Sequence, residues 1–383
     1  MSNLLLFNLA TDADDPLLGF TTLWINRLAE HYERIDVITM RAGRLTVAAN
    51  VRVYSVGKEK GYGNVRRTFE FYRILARLRR ERPYGACFAH MMPLFAVMGA
   101  PLLMGIPIVV WYTHRQRHRT LEWAERVSSR VVTAASDSFP IPSDKVRVLG
   151  HGIDTEFFSP PHLRPLPDFS EGKKAAPDSA PAPTGELTDG EGKSGAPPCA
   201  SMERSIVQVA RLMPIKQQAA LIRALVDLPE ARAIFVGDVP PETDVGYRAE
   251  LEALARDLGV ADRVTFAGNQ PSAAVRDFYR QASAAVNLSP AGLFDKAALE
   301  SMAMEVPTLV ISPAFCPSLG KYADQLLIDP PESLTARLRR ILALSQAERQ
   351  AMGAELRANV VAQHSLDQLI ARLVSVLNTG EPA

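Results

Sequence analysis

The sequence predicts an α/β protein built as two separate units, each a parallel sheet covered on both faces by helices. Three observations carry this. Short apolar strands alternate with amphipathic helical segments along nearly the whole chain. The alternation is broken once, between Ser170 and Ala200, by a stretch of Pro, Gly, Ala, Ser, Lys and acidic residues that holds no Val, Ile or aromatic residue. At 383 residues, the chain also exceeds what one hydrophobic core usually organises.

In the first half, strands are expected at Leu4 to Phe7, Ile35 to Ile38, Val51 to Tyr54, Ala86 to Ala89, Ile108 to Trp111, Val131 to Ala134 and Val146 to Leu149. Helical patterns lie between them, as in Phe20 to His31 and Arg66 to Arg80. The second half repeats the scheme, with strands at Ile206 to Ala210, Ala233 to Val236, Val264 to Ala267, Ala284 to Leu288 and Thr308 to Ile311. Two closing helices, Ala347 to His364 and Leu366 to Leu377, are expected to complete the second unit. The resulting division is a first domain over 1–160, a flexible linker over 161–204, a second domain over 205–365, and a C-terminal helix and tail over 366–383. Open parallel sheets bind ligands at the carboxyl ends of their strands, so the cleft between the two units is the expected site.

Composition excludes several classes. Forty-three basic residues stand against 42 acidic ones, so no overall field would draw nucleic acid to the chain. Cys87, Cys199 and Cys316 are odd in number and show no zinc-binding spacing, which fits a reducing, cytoplasmic compartment. The opening Met1-Ser2-Asn3 lacks the basic flank of a leader peptide and runs directly into a strand. No apolar run approaches the roughly 20 residues that span a bilayer. The helix from Arg66 to Arg82 carries Arg66, Arg73, Arg77 and Arg80 opposite an apolar face. Peripheral contact with the inner membrane face is therefore a secondary expectation.

Two stretches carry candidate chemistry. In Val207 to Lys216 a strand ends in a turn bearing Arg211 and Lys216, two cations able to hold a diphosphate. In Asn287 to Ala303 a small-residue turn leads into a helix. Its first amides, around Asp295, Lys296 and Ala297, would face an anion, with Asp295 as the N-cap. Glu300, in the second turn, suits a ribose diol. Solvated surface charges are the bland alternative for each of these residues. In the first half, Gly19 opens a helix after strand one. His114 follows a strand in Trp111-Tyr112-Thr113-His114. His90 ends the preceding strand, with core and cleft positions equally open to it, and His118 with Arg115, Arg117 and Arg119 is expected to form a solvated edge.

The run Ala210-Arg211-Leu212 with Lys216, then Ser289 to Pro307 around Glu300, resembles the donor domain of glycosyltransferase family 4. Gly150-His151-Gly152-Ile153-Asp154 through Phe158 is similar to its interdomain signature, with Gly150-His151 where Pro-Asn is commoner. The resemblance implies a GT-B architecture of two Rossmann-like domains, a UDP- or GDP-sugar donor, retention of configuration, and neither metal nor resident cofactor. It gives Arg211 and Lys216 the leaving diphosphate, His114 a positioning role, Glu300 the ribose, and Gly19 the place of a glycine-rich loop near the phosphates. Acceptors implied are a glycan, a lipid-linked sugar or a small hydroxylated molecule. The sequence departs from the pattern at Gly292, where the first acid of E-x7-E would hold a sugar hydroxyl. That contact then falls to Asp295, Lys296 or backbone amides, or the protein is a degenerate nucleotide-binding scaffold.

Overall fold

The computed structural model describes residues 2–15, 18–163, 204–240, 246–328 and 334–382. Most of the expected linker, with Cys199, lies outside the described residues, as do Pro16 and Leu17. Among the described residues, the first domain holds seven strands: β1 (Asn3–Thr11), β2 (Arg34–Ala42), β3 (Val51–Ser55), β4 (Ala86–His90), β5 (Ile108–Trp111), β6 (Arg130–Thr133) and β7 (Val146–Val148). They form one parallel sheet in the order β3-β2-β1-β4-β5-β6-β7. Its helices are α1 (Phe20–Ala29), α2 (Asn64–Glu81), α3 (Pro93–Gly99) and α4 (Arg119–Val127).

The second domain has β8 (Ser205–Val209), β9 (Arg232–Val236), β10 (Val264–Gly268), β11 (Ala284–Asn287) and β12 (Thr308–Val310), also parallel, in the order β10-β9-β8-β11-β12. Its helices are α5 (Gln218–Ala224), α6 (Gly246–Asp257), α7 (Ser272–Gln281), α8 (Lys296–Ala303), α9 (Cys316–Leu319), α10 (Ala323–Leu326), α11 (Leu334–Ala343) and α12 (Gln346–His364), and α13 (Leu366–Thr379) ends the chain.

The apolar runs follow from burial on both faces. In β1, Leu4 and Leu6 join a core with Trp24, Ile25 and Leu28 of α1. The intervening Leu5 and Phe7 join another with Phe71, Ile74, Leu75 and Leu78 of α2. The buried stripe of α2 is thus the one its spacing predicts, and its arginines lie on the outer side. Within the described residues, no helix is long and apolar enough to cross a membrane.

One expectation fails. α12 completes the second domain, starting from a capping box between Ser345 and Glu348, but α13 does not stay with it. At Ser365 the chain pairs with Ile153, through Ile153 N–H to the His364 carbonyl and Leu366 N–H to the Ile153 carbonyl, both at 2.8 Å. α13 then packs on α1 and β4 of the first domain. Leu366 and Leu369 lie against Gly152 beside Trp24, and Glu381 pairs with Arg147 at 2.6 Å and Arg130 at 3.1 Å. Periodicity marks an apolar stripe without saying which surface covers it.

Candidate active site

In the second sheet the strand order reverses between β8 and β11, and ligands of open α/β sheets gather at such a switch point. The turn after β8 carries Arg211 and Lys216, and the turn after β11 carries Ser289 to Asp295. The β8 turn is fastened by three glutamines. Gln208 Nε2 donates to the Lys216 carbonyl at 2.6 Å, Gln217 Nε2 to the Leu288 carbonyl at 2.7 Å, and Gln218 Nε2 to the Arg211 carbonyl at 2.9 Å. Leu212, fully buried, anchors its middle.

Lys216 reaches the second turn directly. Its Nζ donates to Ser289 Oγ at 3.0 Å and Asp295 Oδ2 at 2.7 Å. The same Asp295 oxygen accepts from Ser289 Oγ at 2.5 Å and Asn287 Nδ2 at 3.1 Å. Burial alone would raise the Asp295 pKa. Lys216 and the two neutral donors outweigh it, and the carboxyl is held below its ordinary value. Asp295 stands at the N-cap of α8 as expected, yet its side chain makes no capping bond. Its carboxylate has turned to Lys216, so the first amides of α8, near Lys296 and Ala297, have neither an intrahelical acceptor nor a side-chain cap.

Arg211 is exposed and forms no ion pair with any described residue. Its charge acts on His114, an exposed residue whose pKa is lowered by partial desolvation of the ring first and by Arg211 second. His114 follows β5 of the first domain, so the two residues meet across the cleft.

Lys296 and Glu300 lie one turn apart on α8, both half-buried. Lys296 Nζ sits 3.3 Å from the ring centre of Phe20 and 5.1 Å from that of Trp24, both on α1. Burial lowers its pKa and Glu300 counteracts this, while burial raises that of Glu300 and Lys296 counteracts. The Glu300 carboxylate makes no hydrogen bond with a described residue, which leaves it open to a ligand donor. Gly19 begins α1, where a Cβ would press on the Asp15 carbonyl at 2.7 Å. Its lack of a side chain serves this loop, and it places Phe20 over Lys296.

His90 falls on the core side of its two alternatives. It is buried, with Nδ1 3.2 Å from Asn8 Oδ1. His118 accepts from Leu121 N–H as the N-cap of α4. Arg115, Arg117 and Arg119 are exposed as expected, and Arg115 in addition donates from Nη1 to the Ala291 carbonyl at 2.9 Å and so crosses to the other domain. Sequence reasoning missed this bridge, the Phe20–Trp24 pair around Lys296, and the Asn287–Ser289 support of Asp295. The first two depend on segments far apart in the chain, and the third on how the short turn after β11 folds back on itself.

Residues 194–358, less than half of the chain, match the family described as "Glycosyl transferases group 1". A D-inositol 3-phosphate glycosyltransferase of Mycobacteroides abscessus is 34% identical over 107 residues, covering 28% of this chain and 24% of that protein. The chain thus matches about a quarter of the length of such curated relatives. Among solved structures, HepE of Anabaena in complex with UDP and glucose superposes with a TM-score of 0.69 at 15% identity, over 99% of this chain and 100% of that one. Sucrose-phosphate synthase of Thermosynechococcus elongatus gives a TM-score of 0.71 at 15% identity, over 98% of each. The architecture is that of GT-B glycosyltransferases.

Proposed function

We propose that the protein is a retaining glycosyltransferase that moves a hexose unit from a UDP- or GDP-sugar to a hydroxylated acceptor. One observation carries the reading. Lys216, the uncapped start of α8 and Arg211, which has no ion pair among the described residues, lie on the turns at the switch point of the second sheet, where a diphosphate would meet two cations and free amides. The group 1 domain match and the UDP in the complex of the structural neighbour HepE support it.

In the reaction so read, the bond between the anomeric carbon and the β-phosphate oxygen breaks, and the acceptor oxygen bonds to that carbon from the same face. The acceptor proton passes to the departing phosphate. Negative charge grows on the diphosphate as it leaves, so Arg211, Lys216 and the α8 amides gain strength in the transition state. No protein nucleophile is required. His114, whose pKa the charge of Arg211 helps to lower, positions the sugar.

Glu300 would accept both ribose hydroxyls. Glu300→Ala is therefore expected to weaken UDP or GDP binding by about 10- to 100-fold, the range for hydrogen bonds to a charged group. It should also erase the difference between UDP and 2′-deoxy-UDP in calorimetry. A variant that still prefers the ribonucleotide would remove Glu300 from this role.

The acceptor side belongs to the first domain, where α2 exposes Val65, Phe69 and Tyr72 beside Arg66, Arg73, Arg77 and Arg80. That combination supports contact with an anionic lipid surface. Sedimentation with phosphatidylglycerol vesicles should exceed that with phosphatidylcholine vesicles, and equal sedimentation would argue against the contact.

A further inference from the structure

Gly292 stands where the resemblance implies an acid, and the space a side chain would fill there is occupied. A Cβ on Gly292 would collide with the Nη1 and Cζ atoms of the Arg115 guanidinium, and the backbone φ of +87° disfavours any other residue. Arg115 is held on this turn by the bond from its Nη1 to the Ala291 carbonyl at 2.9 Å. That bond uses one of the five N–H donors of the guanidinium. The turn therefore carries the cation of an exposed arginine at the place of a carboxylate.

The surroundings are mostly of the same sign, with the open carboxylate of Glu300, one turn from Lys296, as the exception. Arg115, Arg211 and Lys296 form no ion pair with any described residue, and Lys296 rests on aromatic rings instead. Asp295, the carboxylate of this turn, is engaged by Lys216, Ser289 and Asn287. Arg211, Lys216 and the α8 amides already serve a diphosphate. Arg115 enters the cleft from the opposite domain and is left to meet a different part of the donor.

From this inversion of charge we infer that the donor's sugar bears a carboxylate. The substrate class is a nucleoside diphosphate uronic acid, with Arg115 as the residue that selects it. The inference rests on the transferase reading and narrows its donor. The planar fork of arginine matches a carboxylate with two parallel hydrogen bonds, and a neutral hydroxymethyl group offers no such partner.

Calorimetry on the full chain with matched pairs, UDP-glucuronic acid against UDP-glucose and GDP-mannuronic acid against GDP-mannose, tests it. The acid member of one pair should bind about 10- to 100-fold more tightly than its neutral partner. In Arg115→Gln that ratio should shrink to within about threefold. Arg115→Lys, which keeps the charge without the fork, should fall between. Equal or tighter binding of the neutral sugars would overturn the inference while leaving the transferase reading intact. A parallel loss of both members in Arg115→Gln would do the same, because it assigns Arg115 to the diphosphate. Failure of UDP and GDP themselves to bind would overturn both.

Discussion

Alanine at Arg211 is expected to lower turnover by about 10²- to 10³-fold, the range found when one preorganised donor to a developing negative charge is lost. The unfolding temperature should barely change. The Arg211 side chain is exposed, and the hydrogen bond at this residue, from Gln218 Nε2, goes to the backbone carbonyl, which alanine keeps. Lys216→Ala should cost comparable activity but is a less clean experiment. It strips the cation from Asp295, whose carboxylate would remain with only Ser289 and Asn287 in a largely buried position. Removing one partner of such a pair destabilises through the charge left behind. A loss in Lys216→Ala therefore mixes catalysis with stability, whereas a loss in Arg211→Ala does not. Donor-hydrolysis and transfer rates measured beside a thermal melt separate the two, and wild-type turnover in Arg211→Ala would remove it from the clamp.

The second large effect is acid instability. His90, His151 and His364 are buried, and desolvation is the first cause that lowers each, to about 3, about 3 and about 4. Lys296 adds to the shift at His90 and His151, and Arg372 at His364. At His151 the Phe294 carbonyl, 2.5 Å from Nε2, and Asp295 oppose it. The sign follows from linkage. Below an unfolded pKa near 6.5 the unfolded chain takes up protons that the folded chain refuses, so folding loses stability as pH falls from about 6.5 towards the folded values. At pH 5 the loss is about 2 kcal/mol for each histidine. Together the three approach the whole stability of an ordinary domain, about 5–15 kcal/mol.

His151 and His364 sit side by side at the joint between the two domains, where the His151 N–H donates to His364 Nδ1 at 3.3 Å. Acid should therefore act on the joint first. The unfolding temperature should drop markedly between pH 7.5 and pH 5, and His364→Gln should drop less. Identical melting at the two values would contradict this account.

Much of the fold was legible because parallel strands buried on both faces must be apolar at consecutive positions, as in Leu4-Leu5-Leu6-Phe7. Such runs identify strands without help from their neighbours. The destination of α13 was not legible, since its stripe of Leu366, Leu369, Ile370 and Leu373 would fit either domain. At the site, Arg211 and Lys216 stood out on a short local pattern at a strand end, and Glu300 on the helix that follows the next such turn. Asp295 was legible as the N-cap of α8, but the partner of its side chain was not. A residue at an N-cap ordinarily bonds the helix amides, and only the tertiary approach of Lys216 offered it a stronger donor. Arg115 looked like one more solvated arginine because its contact, Ala291, is in the other domain.

The central claim is that a nucleoside diphosphate docks between Arg211, Lys216 and the start of α8. Diffraction from crystals grown with UDP or GDP tests it most directly. The account predicts diphosphate oxygens within hydrogen-bonding distance of the Arg211 guanidinium, Lys216 Nζ and the amides near Ala297, with the ribose on Glu300. Nucleotide density elsewhere on the molecule, with those groups unchanged and empty, would contradict it.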